Sequence, residues 1–272
     1  MAISTSERDS TPRLPRATAR IGHTLLDILQ IIGEAGVLFA RTLRAIPGRG
    51  RTWERTMAQL VNVGNDTLPL AFLVSLFVGM VLVVQAADQL QQYTQEILGS
   101  IVGLAMTKEL GPVIIAFLVA GRTGSATAAE IGSMSVYDEI NALRTMDIDP
   151  VRYLAVPRLL AMAVAVPMLV VYADVIGIIG GGIVVSADPT VKISVHQYIA
   201  NLTEWVNTKD IVVGLIKAFV FGVTVAIISC TFGFRTKGGA EGVARSTTAA
   251  VVWSFVLIIL FDYIIVRLAI AY

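Results

Sequence analysis

Two ionisable residues, Lys108 and Glu109, stand side by side inside an otherwise apolar run from about Gly99 to Ala120. An ionisable group at the centre of a bilayer costs about 2.5–3.5 kcal/mol on insertion scales, so such groups face a bundle interior or a wet cavity. Neighbours on a helix point about 100° apart, so the two cannot simply pair with each other. Gly111-Pro112 follows at once. A proline inside a helix removes a backbone donor, which frees carbonyls there. The chemistry on offer is polar recognition, with Lys108 suited to a phosphate and the pair lining a path for lipid headgroups. A structural polar knot tying helices together is the other reading. Val78, Leu82 and Gln85 share one face of the preceding apolar run and could line an acyl pocket. Gln85, Asp88 and Gln89 form a polar edge where that run ends. Asp174 and Asp262 lie deep in later apolar runs, as acids do in ion-coupled carriers. An interhelical hydrogen bond to a Tyr or Ser, or a pairing with Lys217 or Arg267, is the structural reading and the favoured one.

The elements that must position these residues are membrane helices. Apolar residues make up 55% of the 272 and charged residues 15%, against about 45–50% and about 25% in soluble domains. A span needs roughly 20 mostly apolar residues. Five runs qualify: about Leu68–Ala87, Gly99–Ala120, Leu159–Val185, Ile211–Phe234 and Ala249–Ala271. An odd number puts the termini on opposite sides. The segment before the first span and the loops after the second and fourth hold 16 Lys and Arg, while the alternate side holds only Lys192 and Lys209. The positive-inside rule then places the N-terminus in the cytoplasm. Lys217 and Arg267, inside spans toward the outer end, count mildly against this and can snorkel. A net charge of +1 gives no reason to expect nucleic acid. His23 and His196 fall outside the best apolar runs, and Cys230 reads as a small core hydrophobe, so no metal or cofactor is expected.

Residues 1–16 read as a polar, disordered N-terminus, without the apolar core of a signal peptide. From about Ala17 to Ile46, His23, Asp27, Gln30, Glu34 and Arg41 share a stripe opposite Leu25, Ile28, Leu29, Ile32, Leu38 and Phe39. That is an amphipathic helix in the headgroup plane, within an interfacial region 17–64. Residues 65–272 form the five-span domain. Between spans two and three, Ser135-Val-Tyr-Asp138 reads as a capping box. Val136, Ile140 and Leu143 then recur on one face, and Asp147-Ile-Asp149-Pro150 stops the helix. This predicts a coupling helix over 135–147 whose Asp138, Glu139, Ile140, Leu143, Arg144 and Met146 would meet a partner. Gly121-Arg-Thr-Gly124 lacks the spacing, lysine and strand of a phosphate loop. Gly177 and Gly181 form a GxxxG pair for close helix packing. The polar stretch Ser186–Asp210, with Tyr198 and Trp205, reads as a short outer helix.

The ordered block Lys108-Glu-Leu-Gly-Pro-Val113, Val119-Ala-Gly-Arg-Thr-Gly-Ser125, Ala129-Glu-Ile-Gly132, Glu139-Ile-Asn-Ala-Leu143, Asp149-Pro-Val-Arg-Tyr153 and Pro157-Arg158 resembles the MlaE/YrbE permease family. These are the membrane subunits of Mce-associated ABC transporters of lipids. Gly79-Met-Val-Leu-Val-Val-Gln85, Ile216-Lys-Ala-Phe-Val-Phe-Gly222 and Ala244-Arg-Ser-Thr-Thr-Ala249 extend the likeness over nearly the whole chain. The resemblance implies a homodimeric permease without enzymatic chemistry of its own, in a bacterial inner membrane, moving phospholipids between membranes. Its implied partners are cytoplasmic ABC ATPase subunits, an Mce-domain lipid-binding protein outside and a STAS-domain regulator. The expectation is therefore an all-α membrane protein with five transmembrane helices, an N-terminal interfacial amphipathic helix and a cytoplasmic coupling helix. The competing reading is an ion-coupled secondary transporter using Asp174, Asp262 and the Lys108–Glu109 pair.

Overall fold

The computed structural model describes residues 16–46, 51–90 and 97–271, with side chains from Leu26 in the first helix and Trp53 in the second. The polar stretch expected over 1–16 falls almost wholly outside the described residues, as do the side chains of His23 and Leu25. The described elements are helical: α1 Arg16–Ala45, α2 Arg51–Leu90, α3 Leu98–Val136, α4 Glu139–Thr145, α5 Val151–Ala187, α6 Val195–Trp205, α7 Thr208–Arg235 and α8 Gly239–Ala271. Five of them, α2, α3, α5, α7 and α8, are long and apolar enough to span a bilayer. This is an all-α, multi-pass membrane protein.

The helices run well past the apolar runs. α2 begins at Arg51, so residues 51–64 belong to the first spanning helix rather than to the interfacial region. α3 is continuous for 39 residues, and the loop expected after Ala120 is its second half. Polar residues do not end a helix whose backbone bonds continue, which is why hydropathy underestimates both.

Packing follows from small residues at a four-residue repeat. Val63, Thr67, Ala71, Ser75, Gly79, Val83 and Ala87 form one buried ridge of α2, which runs along α5. There the Gly177–Gly181 pair works as expected. A methyl on Gly79 would fall on the Gly177 carbonyl, and one on Gly180 on that of Leu76. A central core of Ile115, Val119, Met162, Val166, Phe221 and Val225 joins α3, α5 and α7.

At one end α6 lies across α3 and α5. Ser194 caps it by accepting from the Gln197 N–H at 3.2 Å. Tyr198 is buried beneath it, its hydroxyl donating to the Ile178 carbonyl at 3.4 Å. Burial pushes the Tyr198 hydroxyl up to about 12. The absence of a side chain at Gly99 lets the Tyr198 carbonyl approach α3. Gly99→Leu is expected to lift α6 off and raise hydrogen exchange over 195–205 about tenfold, since overpacking costs about 1–3 kcal/mol; unchanged exchange there refutes the docking.

The opposite end carries α1 and α4. α1 has three faces. Ile31, Ala35, Leu38 and Thr42 turn toward the bundle. Asp27, Gln30, Glu34 and Arg41 make the polar stripe. Leu26, Leu29, Ile32 and Leu43 are exposed apolar residues. A helix lying in the interface needs these three surfaces. Arg235 of α7 reaches Glu34 at 3.1 Å. The capping box at Ser135 is not formed. α3 continues through Val136, and the Ser135 hydroxyl donates to the Thr236 carbonyl at 3.2 Å. The chain turns instead at Asp138, in the left-handed region at φ 59°. A second left-handed residue, Asp147 at φ 58°, ends α4. Aspartate is one of the few L-residues that tolerate this conformation. The separate helix is therefore seven residues long, not the span 135–147.

Candidate functional site

Backbone comes first. In an α-helix the Lys108 carbonyl would accept from the N–H of residue 112, which is a proline and has none. α3 answers by widening into a π turn over Met106–Leu110. Such turns recur at functional sites. The orphaned Lys108 carbonyl accepts from Lys217 Nζ of α7 at 2.9 Å. α7 comes close enough because Gly214 abuts the Thr107 carbonyl without a side chain.

Lys217 is the hub. It is 0% exposed and meets Glu109 Oε2 at 2.7 Å and Asp262 Oδ1 of α8 at 2.9 Å. The contact to Asp262 is an ion pair by distance, outside hydrogen-bond geometry. Lys217 does not snorkel, as its position in the run suggested. It lies nine residues into α7, roughly 14 Å from the helix end, and is enclosed by two acids and a carbonyl. Lys108 is the residue that reaches outward. Its ammonium meets Asp210 Oδ1 at 2.8 Å near the start of α7. Asp210 also accepts from the Asn207 N–H at 3.0 Å, completing a capping box.

Lys108 and Glu109 thus pair with different partners, as their angular separation requires. Both side chains remain over 40% exposed, while Lys217 is enclosed. Five charges from α3, α7 and α8 form one network with an excess of one negative charge. Asp262 takes the pairing with Lys217 foreseen for it. Asp174 takes none. Its Oδ1 is buried without a hydrogen-bond partner among the described residues, against the bare face of Gly111.

Val78, Leu82 and Gln85 are brought together with Leu110, next to Glu109 in sequence, around a shallow groove of about 250 Å³. Phe77 and Val81 complete its wall. Asp88 and Gln89 are exposed near the end of α2. Asp210 and Gly214 are the candidates that reading the sequence missed, and Lys217 was seen only as a pairing partner for an acid or a snorkelling residue. The available signal was the Gly214, Ala218, Gly222 spacing, a packed stripe with Lys217 beside it.

The α4 end is inverted relative to expectation. Ile140 and Leu143 are buried with Leu38, Ile131 and Leu154, so they fasten the helix to its own bundle. Asp138, Glu139, Arg144 and Met146 are exposed, and so is Tyr137 at 74%. The motif charges behind them pair internally. Arg158, 4% exposed, reaches Glu130 at 2.7 Å and the Leu154 carbonyl at 2.9 Å.

Comparison with known proteins agrees with this architecture. The model of the Permease MlaE family matches residues 56–268. A probable ABC transporter permease protein of Rickettsia bellii is 34% identical over 249 residues, 91% of this chain and 95% of the relative. One from Rickettsia typhi is 38% identical over 213 residues, 78% and 82% of the two chains. The intermembrane phospholipid transport system permease protein MlaE of Haemophilus influenzae is 33% identical over 247 residues, 90% and 94%. A match of this extent, over a helical bundle with the motif block in order, makes the chain a member of the MlaE permease family.

Proposed function

We propose that this chain is the permease subunit of an ATP-driven ABC transporter that moves phospholipids between membranes. The observation that carries the reading is membership of the MlaE family together with a charge network held at mid-span beside an apolar groove. ATP is hydrolysed by separate cytoplasmic ABC ATPase subunits. The chain works as a homodimer in a bacterial inner membrane, with its N-terminus and α4 in the cytoplasm. An Mce-domain protein stands at the α6 end and a STAS-domain regulator joins the ATPase. Lys108 and Glu109 meet the headgroup, and Val78, Leu82 and Gln85 meet an acyl chain. A lipid phosphate competes with Asp210 for Lys108, because both are anions within reach of one ammonium. Asp138, Glu139 and Met146, with Tyr137 between α3 and α4, present the face gripped by the ATPase. Ile140 and Leu143 keep that lever attached to the bundle, and Arg144 borders it. Asp262, one of the acids that an ion-coupled carrier would use, is committed to Lys217.

The test is reconstitution with the neighbouring ATPase in proteoliposomes. Tyr137→Asp with Met146→Asp is expected to lower ATP-driven lipid transfer about tenfold or more while the detergent-purified protein stays monodisperse. Loss of one interface anchor typically costs about 2 kcal/mol. Leu143→Asp is a poorer probe, because it buries a charge in the core. Transfer driven by a pH gradient without ATP would overturn the reading.

A further inference from the structure

A groove of about 1140 Å³ opens between α1, α4 with the turn behind it, and the last turn of α7. It is larger than the roughly 300–1,000 Å³ of ordinary small-molecule pockets. Its depth in the bilayer follows from α1. The exposed Leu26, Leu29, Ile32 and Leu43 belong in the acyl boundary, so the polar stripe beside them, which borders the groove, lies at headgroup level.

The floor is apolar, including Leu38, Ile148 and Phe234. The charges on the wall are unequally occupied. Glu34 lies 3.1 Å from Arg235 Nη1, an ion pair by distance that is outside hydrogen-bond geometry, and accepts from Gln30 Nε2 at 2.8 Å. Asp149 Oδ1 accepts from the Val151 N–H at 3.0 Å. Arg41, Arg144 and Asp147 have no ion-pair partner among the described residues. Two unpaired guanidiniums, beside the unpaired carboxylate of Asp147 and that of Asp149, which is engaged only by a backbone N–H, lie over an apolar floor and complement a phosphodiester that carries an amine.

We propose that this groove binds a phospholipid with an amine-bearing headgroup from the leaflet on the α4 side, its phosphate held by Arg41 and Arg144 and its ammonium by Asp147. The site lies at the end of the bundle opposite α6, apart from the mid-span network, and goes beyond the transport reading. Bound there, the lipid bridges α1 to α4.

The test is photo-crosslinking of the full chain with its ATPase in nanodiscs, using photoreactive phosphatidylethanolamine and, separately, photoreactive phosphatidylglycerol, with adducts mapped by mass spectrometry. Phosphatidylethanolamine is expected to label peptides spanning 30–41 and 140–151. Arg41→Gln with Arg144→Gln is expected to cut that labelling about tenfold, as loss of a charge-assisted hydrogen bond would, with labelling near Gln85 unchanged. Asp147→Asn is expected to reduce labelling by phosphatidylethanolamine only. All three side chains are exposed, so the variants fold. Labelling insensitive to the arginine changes, or stronger with phosphatidylglycerol, overturns the proposal. Neither readout requires ATP or transport, so failure here is separable from failure of the permease reading.

Discussion

Lys217→Met is expected to abolish lipid transfer and to destabilise the protein in detergent by about 1–3 kcal/mol, the cost of leaving the half-buried Asp262 and the more exposed Glu109 without their partner. Lys217 is enclosed and serves Glu109, Asp262 and the carbonyl left open by Pro112. Methionine keeps the stem's volume and removes the three donors. Two acids then face each other across α3 and α8 with no cation between them. The companion variant separates architecture from function. Adding Glu109→Gln and Asp262→Asn removes the stranded charges, so thermal stability should return by most of the loss. Transfer should stay low if Glu109 contacts lipid, and a triple variant with full transport would show that the network is structural only. A single Lys217→Met as stable as wild type would contradict the hub itself.

Gly79→Leu is expected to prevent accumulation of folded protein. Its added carbons would meet the Gly177 backbone, which has no rotamer to escape into. Overpacking against side chains costs about 1–3 kcal/mol. Here α2 and α5 must separate along a buried ridge, so neighbouring contacts are lost as well. Gly64→Leu, where nothing lies within 4 Å, is the control and should express normally. The comparison is read by the yield of monodisperse protein after extraction. Equal yields would mean that the α2–α5 contact is looser than the structure has it.

Much of the architecture was legible because hydrocarbon imposes one constraint at a time. Apolar runs located the five spans, and the polar stripe of α1 distinguished it from a span. Run length could not reveal where a polar helix stops, so the extensions of α2 and α3 were missed. The site was half legible. Lys108 and Glu109 stood out by cost, and Pro112 announced an unsatisfied carbonyl. The donor that satisfies it lies 109 residues away, and no local pattern links them. Lys217 near the start of an apolar run looks like a snorkelling residue until its face is known. Ile140 and Leu143 show the converse. Helical spacing revealed that they share a face, but not whether that face meets a partner or the chain's own core.

α3 runs without a break from Leu98 to Val136, so Glu109 stands 27 residues, roughly 41 Å, from the end of the rod that carries Tyr137. A torque applied at the tip must reappear at the other extremity or be taken up along the way. The wide turn at Ala120–Gly124 sits between them, and there the ladder is already out of α register. Stiffening that turn should synchronise the two ends, and loosening it should let one idle while the other turns.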